Sequence, residues 1–155
     1  MIPYQIGLVL VPLALVFLDR DALKKVDYPL LLTFCAFFVF AGNMARIPFV
    51  QEFFGWLLEK NTLLVSALSC QVISNVPSAV LLSQFTENYK ELLLGVNIGG
   101  AGTLIASLAS LITFREYTKH YPEKTGKYVA LFSVCNFGML ALLLTAESLW
   151  LAFMG

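Results

Sequence analysis

Residues 70–83 read CQVISNVPSAVLLS and place Ser74, Asn75, Pro77 and Ser78 in the middle of an uncharged run from Asn61 to Thr86. A polar cluster with a proline interrupts a helix, and in hydrocarbon each peptide group left unpaired costs several kcal/mol. These groups must therefore be packed against protein or against something bound. Residues 97–110, NIGGAGTLIASLAS, carry a second interruption, in which Gly99, Gly100 and Gly102 are followed by Thr103, Ser107 and Ser110. Two interrupted apolar segments in succession are the best sequence pointer to the binding site of a secondary transporter. The remaining chain reads as the frame that holds the two interruptions against each other.

The composition agrees with a membrane setting. The 155 residues are 59% hydrophobic and 13% charged, with a mean hydropathy of +0.79, far from the mix of an ordinary soluble domain. Formal net charge is zero, which leaves no basic footprint for a nucleic acid. Cys35, Cys70 and Cys135 lie far apart within apolar runs, a spacing that suits neither a zinc site nor a disulfide framework. Met1 to Leu18 lacks the basic start and cleavage signal of a signal peptide and reads as a span.

Uncharged runs fall at 1–18, 28–45, 61–86, 92–114 and 128–146, each near or above the length needed to cross about 30 Å of hydrocarbon. Lys plus Arg number three in 19–27, two in 46–60, one in 87–91 and four in 115–127. The excess puts the first and fourth loops in the cytoplasm and the second and third outside. If 61–86 crossed completely, the loops flanking it would lie on opposite faces and the basic 115–127 loop would fall outside. A re-entrant hairpin that enters from outside, turns at Ser74 to Pro77 and leaves on the same side removes the conflict, with arms of about 12 residues, or about 18 Å. A Pro-kinked full span is the alternative. Residues 47–60, IPFVQEFFGWLLEK, show apolar side chains at helical spacing, as in an interfacial helix: either an arm that joins a frame to a moving element or a plain cap. Glu147 falls near the outer interface, and His120 in the polar fourth loop.

The expected architecture is an all-α membrane protein with four transmembrane helices, the third broken by glycines, plus one re-entrant hairpin and one interfacial helix. Residues 1–60 hold the scaffold helices and arm, 61–114 the transport element (hairpin 61–86, broken helix 92–114), and 128–155 the last helix. At the hairpin tip the first arm is expected to end near Ile73 and the second to begin near Pro77, capped by Ser74 or Asn75. In the second break a helix is expected to end near Ile98 and a new one to be capped by Thr103. Helix N-termini attract anions, whereas C-termini and unwound carbonyls suit cations, so an anion with a coupling cation is the natural guest. Ser74, Asn75, Ser78, Asn97, Thr103, Ser107 and Ser110 would line the chamber. No Asp or Glu stands there, unlike the carboxylate relay expected of a proton pump. Ser107 and Ser110 also suit close helix packing. Paired aspartates, Ser/His or Ser/Lys pairs and metal ligands are absent from the spans, so no enzyme is expected.

SNVPS in a hairpin followed by LLLGVNIGGAGTLIASLASLI resembles the C-terminal half of the ion transporter superfamily, which includes citrate and dicarboxylate permeases, arsenite permeases and NhaD-type sodium/proton antiporters. The stretch from Gly99 to Thr103 followed by Ser107-Leu108-Ala109-Ser110 resembles the arsenite-permease-like and citrate-permease-like form of the broken helix. The resemblance covers nearly the whole chain. It implies an elevator mechanism driven by Na+ or H+, with Na+ near Asn75 and Gly100 and a site formed by Ser74, Asn75, Pro77, Ser78, Asn97, Gly99, Gly100, Gly102, Thr103, Ser107 and Ser110. Where the dicarboxylate branch has a Ser-Asn-Thr triplet, this chain has Ser74, Asn75 and Val76, which fits the looser permease branches better.

The resemblance further implies a small anionic solute, an inner (plasma) membrane location with several crossings, no cofactor beyond the coupling ion, and a homodimer of the complete transporter. Such transporters use two inverted repeats, and only one is present, so an N-terminal half or partner chain is expected. Antiparallel self-assembly is disfavoured by seven basic residues inside against three outside. The alternatives are a sodium/proton antiporter of the same superfamily, or a non-transporting membrane subunit or fragment.

Overall fold

The computed structural model describes residues 4–18, 21 and 24–154, and every regular element among them is helical. The chain divides into two compact units, Met1–Ala36 and Phe37–Gly155. The first holds α1, Tyr4–Leu18, which contains Pro12, and the start of α2, Tyr28–Met44. The expected run 1–18 and loop 19–27 lie partly outside the described residues, as does Gly155. At 15 and 17 residues, these helices measure about 22 and 26 Å, a little short of a complete hydrocarbon crossing.

In the second unit α2 gives way to α3, Pro48–Lys60, with a bend of 95° between the helices. Pro48 opens α3, where a proline's missing N–H costs nothing. Phe49, Phe53 and Trp56 are exposed and Leu58 is buried, so α3 turns one face to the core and leaves an aromatic face uncovered.

The segment 61–86 is a hairpin of two helices, α4 (Thr62–Ile73) and α5 (Asn75–Leu82), with no single rod through it. Asn61 caps α4, its Oδ1 accepting from Leu64 N at 2.8 Å. Pro77 explains where α4 stops: in a continuous helix its ring would collide with the carbonyl four residues earlier, that of Ile73, the last residue of α4. The second arm begins at Asn75, two residues before the expected start, and Pro77 falls inside its first turn. It is also shorter than expected, with 8 residues against 12 in α4.

The ends of the hairpin return to the same place. Phe54 of α3 stacks on Phe85, with ring centroids 5.1 Å apart. Lys60, Asn61, Thr86 and Asn88 line one cavity of about 670 Å³ together with Ser148. Residues 60 and 88 thus lie at the same cavity, at the open end of the hairpin.

From that end α6, Tyr89–Gly99, packs along α4. The seam is close because Gly95 and Gly99 stand one turn apart: a Cβ on Gly95 would lie 2.6 Å from Leu63 O, and one on Gly99 2.7 Å from Ala67 O. This is the small-residue spacing by which helices approach in lipid, where apolar burial gives no drive. Leu58, Cys70, Leu82, Leu92 and Val96 fill the core where α3 to α6 meet. After the glycine break come a 3-10 turn, Leu104–Ala106, and α7, Leu108–His120. The new helix therefore starts after Ser107, whose side chain makes no cap, and not after Thr103 as the sequence suggested; Thr103 precedes the intervening turn.

The last helix, α8, runs from Thr125 to Met154. Pro122–Trp150 is the one unbent helical stretch among the described residues long and apolar enough to cross a membrane. It lies antiparallel to the broken span. Tyr117 stacks on Tyr128 at one end, with centroids 4.8 Å apart, while Lys90 sits 5.5 Å from the Trp150 ring at the other. Glu147 precedes Ser148 of the hairpin-mouth cavity.

Candidate functional site

The hairpin tip and the break in the next span lie side by side. Ser74 Oγ is 3.4 Å from Ala106 O, two residues before the start of α7. Asn75 Nδ2 would stand 3.4 Å from a Cβ added to Gly100. Ser74, Asn75, Gly100, Thr103 and Ser107 are thus brought into one neighbourhood, as the two interruptions suggested.

Ser74 is the only non-glycine residue with positive φ among the described residues, at φ 74°, ψ 158°. That region is almost exclusive to glycine, and a side chain held there costs about 1–3 kcal/mol. Its side chain caps neither arm; the hydroxyl points across to the break instead.

The four helix ends are not equally free. At the start of α5, Pro77 has no N–H, and Asn75 Oδ1 takes up Val76 N at 2.9 Å. Asn75 Nδ2 has no partner among the described residues and is the tip's open donor. The N-terminus of α7 is more open, since Ser107 makes no side-chain cap. The amides of Leu108, Ala109 and Ser110 precede the first helical bond, Leu111 N to Ser107 O at 3.2 Å, and carry the positive end of the helix dipole.

The carbonyl ends are largely occupied. Val96 O and Asn97 O both accept from Gly100 N, and Ile98 O from Ala101 N. Gly99 O and Ala101 O accept from Gln71 Nε2 at 2.8 and 3.1 Å. Gln71 Oε1 in turn accepts from Thr103 N at 2.9 Å, and Thr103 Oγ1 donates to Gln71 O at 3.1 Å. Gln71 did not figure among the sequence candidates. The only available signal was an amide four residues before Asn75 in an apolar run.

Other expected lining residues lie elsewhere. Asn97 is exposed, two residues from both seam glycines and so on the opposite face of α6, and its Nδ2 donates to Leu93 O at 2.7 Å. Ser78 is fully buried one turn beyond the tip, its hydroxyl without a hydrogen-bond partner among the described residues. Gly99 serves the seam with α4, and Gly102, at φ 116°, faces the Gln71 amide, whose Cδ would be 2.9 Å from an added Cβ. Ser110 is half-buried in the first turn of α7. No cluster of His, Cys, Asp or Glu able to hold a metal occurs among the described residues.

No family model matches the chain, and no solved structure matches it. An uncharacterized transporter of Methanocaldococcus jannaschii, MJ0456, is 46% identical over 91 residues, covering 59% of this chain and 26% of that protein. The inner membrane protein YbiR of Escherichia coli K12 is 38% identical over 112 residues, covering 70% of this chain and 30% of that protein. The chain is similar to membrane proteins, one of them named a transporter. The matched region spans less than a third of either relative's length.

Proposed function

We propose that the chain is one half of an ion-coupled secondary transporter for a small anion of the citrate, dicarboxylate or arsenite kind. Its hairpin and broken helix move as an elevator past a scaffold in the inner membrane. The observation that carries this reading is the meeting of the strained tip at Ser74 and Asn75 with the uncapped N-terminus of α7. An anion there gains a neutral amide donor at Asn75 Nδ2 and the unpaired amides of Leu108 to Ser110, in surroundings of low dielectric where such bonds are strong.

Na+ as the coupling ion belongs beside Asn75 and Gly100, whereas H+ as the coupling ion needs a titratable carrier outside the hairpin and the broken span. No ionisable side chain other than Cys70 occurs in 61–86 or 92–114, which favours solute transport over a sodium/proton antiporter relying on a carboxylate. The complete site needs an opposing repeat, supplied by an N-terminal half or a partner chain, and the complete transporter is a homodimer. The matched region's small share of its relatives fits this division and equally fits a non-transporting subunit.

Co-reconstitution with an opposing half, followed by gradient-driven uptake of citrate, dicarboxylates, arsenite and sulfate, tests the proposal. Uptake that needs a Na+ or H+ gradient and falls at least about tenfold in Asn75→Ala is the expected result. Uptake of none of these solutes, with both chains inserted, refutes it.

A further inference from the structure

We propose that Gln71 is a positioning residue that fastens the hairpin to the broken span, so that the two shift as one body while the tip stays open to solute. The consequence for transport rests on the reading above; the fastening rests on the packing alone.

Elements on either side of a break in lipid have few ways to hold together. The α4–α6 seam binds the hairpin to the part of the span before the break, through Gly95 and Gly99. Beyond Gly99 the chain turns through Gly100, Ala101 and Gly102, and nothing in that seam reaches the far side. Gln71 bridges it. The two hydrogens of the amide nitrogen are shared among Gly99 O, Ala101 O and, on its own helix, Ala67 O, while the oxygen of the same amide accepts from Thr103 N. Its own backbone carbonyl accepts from the Thr103 hydroxyl. Four bonds thus run from one residue of the hairpin to three residues of the break. They satisfy backbone groups that would otherwise be bare in a region of low dielectric, where the loss of each is costly.

The surrounding residues are chosen around that amide. Gly102 has φ 116° and its open side against Gln71, so a Cβ there would both strain the backbone and displace the amide. Gly102 and Thr103, which resemble solute-binding residues in the sequence, are here committed to holding the break. The groups left for solute are those Gln71 does not touch: Asn75 Nδ2 and the start of α7.

A spin-label pair at positions 68 and 105, both exposed, reads the fastening without any solute. The labels are placed in the full chain in bilayers, with Cys35 and Cys135 replaced by alanine and the fully buried Cys70 retained. Gln71→Leu removes every side-chain bond and should broaden the distance distribution about twofold. Gln71→Glu supplies the decisive control. A neutral carboxylic acid keeps one donor and one acceptor, whereas a carboxylate only accepts and faces three carbonyl oxygens.

Burial raises a carboxyl's pKa, so the neutral form holds the break at low pH and is lost as pH rises through that raised value. Between about pH 5 and about pH 10 the Gln71→Glu distribution should pass from narrow to broad, while the unsubstituted chain stays narrow throughout. No other ionisable side chain except Cys70 stands on the hairpin or the span at 92–114, and the unsubstituted control carries its contribution. Narrow distributions in both variants at every pH, or a Gln71→Glu width that ignores pH, overturn the proposal. If Gln71→Leu does not insert, the Gln71→Glu titration alone decides. Loss of uptake with an unchanged distance distribution would leave the transport reading standing and remove the role of Gln71.

Discussion

At Ser74 a serine occupies backbone that glycine adopts without strain. Ser74→Gly should relieve that strain and stabilise the chain by about 1 kcal/mol while removing the hydroxyl that faces Ala106 O. Thermal unfolding in detergent checks the first effect and uptake by the co-reconstituted protein the second; a rise in stability with a fall in transport is expected. Ser66 offers the opposite case. Its hydroxyl is fully buried with no hydrogen-bond partner among the described residues, and its Cβ would lie 2.7 Å from a Cβ added to Gly95. Ser66→Ala removes an unsatisfied polar atom without widening the seam and should be neutral or stabilising by up to about 2 kcal/mol. Gly99→Val, by contrast, forces α4 and α6 apart and should cost at least about 1–3 kcal/mol in the same measurement.

At the scale of elements, the hairpin is the structure's main departure from a row of simple crossings. If α4 and α5 share one membrane face at their outer ends, cysteines placed at Lys60 and Asn88 should both react with an impermeant thiol reagent added outside. One placed at Lys119 should react only after the membrane is opened. Labelling of 60 and 88 from opposite sides would mean a complete crossing. The turn was legible in the sequence because two independent signals converged, loop-charge parity and a proline whose clash falls on Ile73. The details of the break were less legible. A 3-10 turn of three residues between Thr103 and Ser107 moved the helix start by four positions, and no period in the sequence announces such a turn. The spacing of Gly95 and Gly99 stands in the sequence as GVNIG, but Gly99 belongs equally to the glycine cluster that follows, so the spacing alone does not mark a packing seam. Gln71 was harder still, because its partners lie 28 to 32 residues further along the chain and its meaning comes only from tertiary contact.

For the whole molecule the question that decides the proposal is whether an opposing repeat completes the tip. Asn75 and the start of α7 supply donors from this chain, whereas Leu64, Leu68 and Val72 form an exposed apolar stripe along α4 that lipid or protein must cover. A site completed by an opposing repeat makes a thermodynamic prediction that a self-sufficient site does not. Ligand stabilises only the state that binds it, by about 2.7 kcal/mol when its concentration is a hundred times the dissociation constant. The chain alone should therefore show little shift in unfolding temperature with citrate, dicarboxylate or arsenite, even at high concentration. Co-purified with its opposing half it should show a shift that saturates with solute, depends on Na+ or pH, and disappears in Asn75→Ala. A saturating shift in the isolated chain would mean that one repeat suffices to bind, and the division of the site between two halves would have to be abandoned.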